Sequence, residues 1–506
     1  MKKRLYPAIL FIALLTQPLS VLAQNLEWDV GLGSKRSLIN AQGVAAGVQG
    51  APTVLYLAGL MGESDSSDRV RTLLNTYSQM EAQDRPINLL AIALANPDLD
   101  SLVFPPDGNA YAENPVSNAL WRWIGVHAPD LVVIADQDQS GLASALQGEA
   151  VADTGSIPVQ LLSDRTASVN FLSELPGLEQ SPASLEVERR LSRSPAELAQ
   201  QLAETYGYDF SSPVYVPGMS LIGRMRLGYM EEVGQLIQGH LSQGAIEVSN
   251  ASLMAGHLVF AEYAERTGDD NALRLTISAA DLAFDEQGNA REAMPFHSEM
   301  SDSVFMATPL LVKAGKLTGQ SKYFDMAVSH VEYMQSLLLR DDGLYRHSPL
   351  ADVAWSRGNG FPALGLALSL SDLPESHPGY SKIMASFVEH LETLRPFQDI
   401  DGMWREVIDY PGSFAELSAT AMIGIAIKRG IDRGWLSREV YQPILNLAWN
   451  AVLVRTSLTG EFIDVCTSTG KMQSLDAYLD RLAIFGRDDR AGGMVMLFAN
   501  EMAGNM

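Results

Sequence analysis

The sequence predicts two structural units in succession, an α/β domain followed by an all-α domain of helical hairpins. Short apolar runs alternate with helix-like segments between residues 51 and 165, and the strand-like runs stop before about residue 212. From there, long amphipathic segments follow one another to the end of the 506-residue chain. A chain of this length is too long for one ordinary core, which also favours two domains.

The first 23 residues have the pattern of a cleaved secretory signal. Three cations, Lys2-Lys3-Arg4, precede an apolar stretch, and the small-residue end Val21-Leu22-Ala23 is typical of a cleavage site. The mature chain is expected to begin near Gln24. The sequence therefore predicts an exported protein, periplasmic or secreted.

Charge and cysteine content exclude several classes of partner. The formal net charge is −24, and removal of the three signal cations would make it −27, which argues against nucleic acid and anionic membranes as partners. No later run approaches the roughly 20 apolar residues that a membrane span requires. The single cysteine, Cys466, cannot form an internal disulfide and is expected to be a packed thiol rather than a nucleophile.

The α/β domain is expected to occupy residues 24–175. Three β-branched apolar runs, "TVLYLAGL", "INLLAIAL" and "DLVVIAD", suit strands buried on both faces, and segments of helical spacing separate them. Trp121 and Trp123, in one of these helical segments, are expected in the core. Residues 176–211 turn polar, with dense charge and Ser-Pro breaks, and are predicted to be a linker.

The all-α domain is expected to occupy residues 212–506. Its helical segments recur as hairpins about every 50 to 60 residues, which leaves room for about eleven or twelve helices. Several segments end in Gly268, Gly319 or Gly430, which suggests left-handed C-caps. A closed ring of hairpins would bury one face of every helix and leave loops at one end for a site.

Four consecutive interhelical loops of this domain carry the same chemistry, a planar ring beside a polar or cationic group. Asp302 stands at a helix start, where capping by the "SDS" triplet is the structural alternative to a catalytic role. Sugar rings stack on aromatic side chains while their edges accept or donate hydrogen bonds, and an acidic sugar also requires a cation. The loops therefore indicate an acidic saccharide. Their sequences are "FHSEMSDSVFMATPLL", "RDDGLYRHSP", "DVAWSRGNGFPALG" and "DGMWREVIDYPGSFAELSATAM".

Four stretches of this domain together resemble the unsaturated rhamnogalacturonyl hydrolases and the related unsaturated glucuronyl hydrolases, glycoside hydrolase families 105 and 88. The stretches are "WSRGNGFPALGLAL", "GLYRHS", "MSDSVFMATPLL" and "GMWREVIDYPGSFAELSATAMIGIAIKRG". The resemblance covers about residues 215 to 503 in continuous order. It implies an (α/α)6 barrel with no metal and no cofactor. It also implies an acidic oligosaccharide partner, one that a polysaccharide lyase has left with a 4,5-unsaturated uronic acid at its non-reducing end.

The resemblance also implies roles for individual residues. Asp302 matches the family Asp that serves as general acid and base while water is added across the vinyl ether. His347, Trp355 and Arg357 match residues that help to bind the substrate, the Arg facing its carboxylate. Including residues from the neighbouring loops, the residues expected to contact the sugar are His347, Trp355, Arg357, Phe361, His297 and Trp404.

The chain departs from the family pattern at two places. Phe361 stands where the family usually has Trp, which keeps a ring but loses the indole N–H donor. A second family Asp precedes the first helix of the region, where this chain offers Glu247 or Asn250 and no assignment can be made. His297 and Glu299 lie close enough in sequence to Asp302 to alter its pKa.

The N-terminal domain resembles the zinc carboxypeptidase M14 fold over about residues 51 to 165, without its zinc ligands. Met61 stands at the position of the first zinc-binding His, Ser64 at that of the Glu, and no His follows the "PDLVVIAD" strand. Thioether and hydroxyl groups are poor zinc ligands, so a non-catalytic domain is expected. Two alternatives to an exported unsaturated uronyl hydrolase remain at this point, an inactive saccharide-binding or scaffold protein and a metallopeptidase acting through this domain.

Overall fold

The structure is a computed structural model that describes residues 26–162, residue 175 and residues 178–505. The predicted signal, residues 1–23, lies outside the described residues. None of the helices within the described ranges is long and apolar enough to cross a lipid bilayer.

The N-terminal region forms a six-stranded mixed sheet in the order β1-β2-β4-β3-β5-β6. The first two strands are antiparallel to their neighbours, and β4, β3, β5 and β6 run parallel. The three apolar runs singled out in the sequence are the central strands β3, β4 and β5. The elements are β1 (Leu26–Leu32), β2 (Leu38–Val44), β3 (Thr53–Leu57), α1 (Asp65–Ser78), β4 (Asn88–Ile92), α2 (Pro115–His127), β5 (Leu131–Ile134), α3 (Leu142–Gly148) and β6 (Val159–Leu161).

Both faces of this sheet are covered, as expected for parallel strands. Alternate residues of β3 point to opposite sides. Leu55 packs into the cluster that contains Trp121 and Trp123 of α2, so these two indoles lie in the core. Tyr56 packs into a second cluster with Leu74 of α1. The mixed sheet fits an α/β domain, while the likeness to the M14 fold stays a prediction.

The predicted linker holds two helices, α4 (Pro182–Ser192) and α5 (Pro195–Ala203). Ser181 and Ser194 are their N-caps, and each is followed by Pro at the first helical position. The Ser-Pro motifs are therefore helix starts, where the missing proline N–H costs nothing. Leu198 and Leu202 of α5 join the core of the all-α domain, so this helix is part of that domain.

In the all-α region, outer and inner helices alternate to form six hairpins within the described residues. The inner helices are α6, α9, α11, α13, α15 and α18; successive members pack side by side, and α18 closes the ring against α6. The elements are α6 (Tyr215–Arg226), α7 (Met230–Leu241), α8 (Ala251–Gly256), α9 (Leu258–Thr267), α10 (Asp270–Ala280), α11 (Ser303–Thr318), α12 (Ser321–Leu338), α13 (Ser356–Asp372), α14 (Tyr380–Leu394), β7 (Trp404–Arg405), β8 (Ala415–Glu416), α15 (Leu417–Asp432), α16 (Arg438–Val454), β9 (Phe462–Cys466), α17 (Leu475–Leu479), β10 (Ala483–Gly486) and α18 (Asp489–Ala503).

Two of the three expected glycine C-caps are present. Gly268 and Gly319 follow α9 and α11 in the left-handed conformation, with φ of 73° and 70°. The expectation for Gly430 is wrong, because this residue lies inside α15, which ends with Arg433 as C-cap. A Cβ at Gly430 would stand 2.6 Å from a methyl carbon of Leu436, so close packing explains this glycine.

Toward its C-terminal end, each of the six inner helices contributes one charged residue to the lining of an axial cavity, and the sign alternates around the barrel. Five of the six neighbouring pairs are in ion-pair contact, with Arg226 to Glu501 at 2.9 Å and Lys313 to Asp372 at 2.9 Å. These residues, called the charge ring below, line this cavity of about 60 Å³ together with apolar side chains. The ring consists of Arg226, Glu262, Lys313, Asp372, Arg429 and Glu501.

Candidate active site

The candidate site lies at the opposite end of the barrel, where the inner helices begin. All six inner helices run in the same direction, because each returns through an outer helix, so their N-termini meet at one end. Free backbone N–H groups and the positive ends of the helix dipoles favour negative charge there. Asp302 precedes α11, Trp355 precedes α13 and Glu416 precedes α15, so the predicted loops converge at this end.

Asp302 is the partly exposed member of the site. Its side chain makes no capping hydrogen bond to α11, so the structural alternative of a side-chain N-cap does not apply. The side chain is 13% exposed, and its Oδ1 lies 3.3 Å from Nε2 of His347. Neither atom has a hydrogen bond with correct geometry to any partner among the described residues, so the two groups face each other at this distance without a formed hydrogen bond. The structure thus brings together the predicted acid and the predicted histidine.

His347 is fully buried and held on both sides. Its Nδ1 lies 2.8 Å from the hydroxyl of Tyr478 on α17, and this hydroxyl accepts a bond from the backbone N–H of Met472 at 3.3 Å. Burial raises the pKa of Tyr478 to about 12, so the phenol keeps its proton and can donate it to Nδ1. With the phenol as donor to Nδ1, a neutral imidazole would carry its proton on Nε2, the nitrogen that faces Asp302.

Trp355 forms the wall behind the histidine. Its ring centroid lies 4.3 Å from that of His347, and the guanidinium of Arg357 lies 4.7 Å from the ring. Its Nε1 donates to Oε1 of Glu406 at 2.8 Å. With 1% of its surface exposed, Trp355 supports the site from inside.

Arg357 does not occupy the expected position facing a substrate carboxylate. Its side chain is 2% exposed, and Nη1 and Nη2 donate at 2.6 Å to the carbonyls of Cys466 and Thr467. Nη1 also lies 3.8 Å from Glu416, an acid that no sequence pattern links to Arg357. Both Nη groups have internal acceptors, so Arg357 ties α13 to β9 rather than projecting into the site.

Phe361 and Trp404 are also in the core, contrary to the expectation that they contact sugar. Phe361 is 1% exposed and stacks on Phe305 at 5.4 Å. Trp404 is fully buried, and its Nε1 donates to the carbonyl of Leu394 at 2.8 Å. Neither ring offers a free face, because apolar helices pack against both.

His297 lies in a strained loop that leads into Asp302. Phe296, Ser298 and Glu299 all have positive φ, and Nδ1 of His297 accepts a bond from the backbone N–H of Glu299 at 3.0 Å. Burial lowers the pKa of His297, Glu299 opposes this effect, and Lys471 adds to it. His297 is half-buried and therefore remains a candidate contact at the rim.

The start of α11, just after this loop, is anchored by His330 of α12. Its Nδ1 accepts from the backbone N–H of Met294 at 3.2 Å, and its Nε2 lies 3.1 Å from the hydroxyl of Ser303. Burial lowers the pKa of His330 to about 4, so the ring is neutral near pH 7. The residues that flank Asp302 are thereby fixed to an outer helix.

Two buried acids near Trp355 were not predicted as parts of the site. Glu416 is the N-cap of α15, since Oε2 accepts from the N–H of Ala419 at 2.6 Å and Oε1 from that of Cys466 at 3.0 Å. Glu406 is fully buried, and its Oε2 has no partner among the described residues. In the sequence, Glu406 next to Arg405 looks like half of a solvated ion pair, which conceals it.

Burial gives Glu406 and Cys466 unusual proton affinities. Burial, followed by the neighbouring charge of Glu416, raises the pKa of Glu406 to about 8. The thiol of Cys466 lies 3.0 Å from Oε1 of Glu406, and its pKa is raised by burial and then by Glu406. Cys466 is thus a packed thiol, as expected from the sequence.

Arg490 at the start of α18 is a partly exposed cation near the site. Its side chain is 12% exposed and donates to Asp488 at 3.0 Å. Tyr215 at the start of α6 is close enough to Arg490, Arg357 and Asp302 to feel their charges; burial raises the pKa of this phenol, Arg357 and Arg490 lower it, and Asp302 raises it. Tyr215 and Arg490 therefore belong to the surroundings of Asp302, although no sequence signal marked them.

The two alternatives for a second acid do not supply one. Glu247 and Asn250 are exposed, and Oδ1 of Asn250 accepts from the N–H of Leu253 at 2.9 Å as the N-cap of α8. The second acid therefore stays unassigned.

The loop after β3, which the M14 resemblance predicts to lack a zinc site, is held by internal hydrogen bonds. Asp136 accepts from the N–H groups of Gly59 at 2.6 Å and Leu60 at 3.2 Å, and from Ser66. Met61 is 59% exposed. Across the described ranges, no group of three or more His, Cys, Asp and Glu side chains could hold a metal ion.

Comparisons with known proteins agree with the barrel and its loops. The sequence model of Glycosyl Hydrolase Family 88 matches residues 202–506. The unsaturated rhamnogalacturonyl hydrolase YesR of Bacillus subtilis is 27% identical over 220 residues, which is 41% of this chain and 58% of that protein. An unsaturated 3S-rhamnoglycuronyl hydrolase of Formosa agariphila is 28% identical over 169 residues, 30% of this chain and 45% of that one. The matches thus span only about half of these relatives.

Solved structures share the fold. A possible member of the GH105 family from Salmonella enterica serovar Paratyphi A has a TM-score of 0.53 at 20% identity, over 62% of this chain and 96% of its own. A family 88 glycosyl hydrolase from Bacteroides vulgatus has a TM-score of 0.52 at 16% identity, over 62% of this chain and 100% of its own. These two chains leave no room for a further domain like the N-terminal one. Because the family model matches more than half of this chain, the chain belongs to glycoside hydrolase family 88.

Proposed function

We propose that this protein hydrolyses oligosaccharides that end in a 4,5-unsaturated uronic acid, with Asp302 as general acid and base. The observation that carries the proposal is the pair of Asp302 and His347, whose facing atoms lie 3.3 Å apart at the N-terminal end of the barrel. Membership of family 88 and the names of the relatives support the same reaction class.

The pair has the features that a proton-transfer site needs. Asp302 would first give its proton to C4 of the vinyl ether, and the resulting carboxylate would then take a proton from the water that attacks C5. The hemiketal so formed opens and releases the neighbouring sugar. His347, whose Nε2 faces Oδ1 at 3.3 Å, would stabilise the carboxylate between the two steps, and Oδ2 would face the substrate.

The surroundings of Asp302 suit an anionic substrate. Because the side chain of Arg490 is 12% exposed and that of Arg357 only 2%, we assign the substrate carboxylate to Arg490, assisted by the helix N-termini at this end. These local positive charges would overcome the strongly negative net charge of the chain, −24. Tyr215, whose pKa the nearby Arg490 lowers, would help to orient that guanidinium.

The test is turnover of lyase-generated disaccharides from several acidic polysaccharides, rhamnogalacturonan-, ulvan- and glucuronan-type fragments among them. Loss of the ultraviolet absorbance of the unsaturated ring reports the reaction directly. The wild type should consume at least one disaccharide, and Asp302→Asn should not. Full activity of Asp302→Asn would remove Asp302 from its role.

A saccharide-binding protein without activity is the second candidate. The observation that favours it is the missing second acid, since Glu247 and Asn250 are exposed and Asn250 caps a helix. Calorimetric titration with the same disaccharides separates the two functions. Tight binding without turnover at any pH would support the second candidate.

We also propose that the protein acts outside the cytoplasm, on the basis of the signal-like residues 1–23. Small lyase products are available in the periplasm or medium, where such an enzyme would complete their breakdown. The N-terminal sequence of the protein isolated from cell fractions tests this. A cytoplasmic protein that still begins at Met1 would contradict it.

A further inference from the structure

The hydrogen-bond partner of His347 lies on a segment that bridges the two domains. Residues 462–486, called the bridging segment below, connect the outer helix α16 to the inner helix α18 and contain β9, α17 and β10. Tyr478 of α17 holds Nδ1 of His347 at 2.8 Å. The orientation of the imidazole therefore depends on where this segment lies.

The N-terminal domain holds the bridging segment at its two strands. Arg122 of α2 forms an ion pair with Asp464 of β9, and each side chain is 8% exposed. Arg122 also donates to the carbonyl of Ala483 on β10 at 3.2 Å, so a single guanidinium contacts both strands of the hairpin. The hydroxyl of Tyr111 lies 3.2 Å from both carboxylate oxygens of Asp464.

The geometry of this contact is demanding. Asp464 has a φ of 62°, in the left-handed region, which among non-glycine residues Asn and Asp adopt most readily. A buried charge requires its partner, because an unpaired one cannot be solvated in the interior. Arg122 and Asp464 therefore fix the position of β9 relative to α2.

The N-terminal domain also contacts the bridging segment on both sides of Tyr478. Arg36 of the N-terminal domain pairs with Asp476 of α17 at 3.4 Å and with Asp480, the C-cap of α17, at 2.8 Å, one on each side of Tyr478. These pairs are more exposed than that of Arg122 and are correspondingly weaker.

Apolar packing joins the same parts. Leu32 and Ala110 of the N-terminal domain belong to one buried cluster with Trp355 and Tyr478. Tyr111, at the edge of this cluster, stacks on Phe414 with ring centroids 5.2 Å apart. The wall behind His347 is thus built by both domains.

We propose that the N-terminal domain is a working part of the active site, with Arg122 as a positioning residue. Arg122 fixes the bridging segment, the segment fixes the Tyr478 hydroxyl, and this hydroxyl keeps the Nε2 proton of His347 directed at Asp302. The proposal rests on the proposed function for its kinetic consequences only. In the two solved structures the matched barrel makes up 96% and 100% of the chain, so those two chains lack this support.

The kinetic test is a double-mutant cycle in the full chain with Arg122→Met and Tyr478→Phe. Each variant alone should lower kcat about tenfold and change KM little, because a slightly misdirected imidazole affects the transition state more than binding. Since both act through the same hydroxyl, Arg122→Met should have no further effect in the Tyr478→Phe background. If the fold losses of kcat in the two single variants multiply in the double variant, the two residues act independently and the proposal is overturned.

Two further variants separate positioning from stability. Arg122→Lys keeps the charge and should recover part of kcat, and it replaces Arg122→Met if that variant does not fold. Trp28→Phe removes the 2.8 Å bond from Nε1 to Asp401, which joins the two domains without touching the bridging segment. It should leave kcat unchanged. An equal loss of kcat in Trp28→Phe and Arg122→Met would show general domain docking and overturn the specific role of Arg122.

A spectroscopic readout makes the test independent of turnover. In protein labelled with ¹⁵N-histidine, His347, assigned by its loss in a His347→Gln variant, should be the Nε2–H tautomer and should change its ring nitrogen shifts in Arg122→Met. Unchanged shifts would overturn the proposal. If the wild type consumes no disaccharide, the proposed function fails, while the shifts still decide whether Arg122 positions His347.

Discussion

Replacing Glu406 by Gln should remove a pH-dependent loss of stability. Burial, followed by the charge of Glu416, raises the pKa of Glu406 from 4.5 to about 8, against the opposing effects of Cys466, Arg357 and Trp355. The folded protein therefore keeps this proton up to about pH 8, whereas the unfolded chain releases it near 4.5. Because the folded state binds more protons in this window, its stability falls as the pH rises from 4.5 to about 8.

The magnitude follows from the one proton involved. A difference of one bound proton changes the free energy of unfolding by about 1.4 kcal/mol per pH unit. Between about pH 5 and pH 7, Glu406 should therefore cost the wild type about 3 kcal/mol. The amide introduced by Glu406→Gln cannot ionise, and its oxygen can still accept from Nε1 of Trp355, which lies 2.8 Å from Oε1 in the wild type.

Urea unfolding at several pH values in this range measures the effect. The free energy of unfolding of E406Q minus that of the wild type should grow by about 3 kcal/mol from about pH 5 to pH 7. Glu389→Gln, an exposed position on α14 with the same change of formal charge, is the matched control and should follow the wild type. Equal pH dependence of E406Q and the wild type would show that Glu406 is ionised when folded and would refute the reasoning.

Three further outcomes are expected. Asp302→Asn should lower turnover of unsaturated disaccharides about 10³-fold or more with unchanged thermal unfolding, because the amide cannot give or take the proton; smaller losses would argue against proton transfer by Asp302. Arg490→Met should raise KM about tenfold with a smaller effect on kcat, because the substrate carboxylate loses its cation, and an unchanged KM would place the carboxylate elsewhere. Glu501→Gln should lower the free energy of unfolding by about 3 kcal/mol in urea, because Arg226 and Arg429 lose their shared anion; an unchanged midpoint and slope would contradict this.

Much of the fold could be predicted because its elements have strong local signals. The 3.6-residue periodicity marked the barrel helices, and the β-branched runs marked β3, β4 and β5. The structure of residues 176–211 differs from the predicted linker because Ser-Pro pairs start helices as readily as they end them. Ser194 shows this clearly, since Glu197 completes a capping box with it. The predicted C-cap at Gly430 was wrong because close packing and helix termination both favour glycine, and the sequence does not distinguish the two.

The site was predicted in part. Asp302 and His347 meet as expected, because loops at one end of a ring of hairpins must converge. Trp355, Arg357, Phe361 and Trp404 were placed in contact with sugar, but burial depends on neighbours distant in sequence that no local pattern reveals. Tyr478 and Glu406 were overlooked for the same reason. A tyrosine acquires its role here only because the bridging segment folds back over the barrel.

The charge ring at the far end of the barrel constrains how many hairpins this architecture can have. Opposite charges alternate around a closed circle only when the number of members is even, and here each of six inner helices supplies one. Loss or gain of a single hairpin would place two like charges side by side in the interior. Evolution of this barrel by duplication or deletion is therefore restricted to pairs of hairpins, unless a charge is neutralised in the same step.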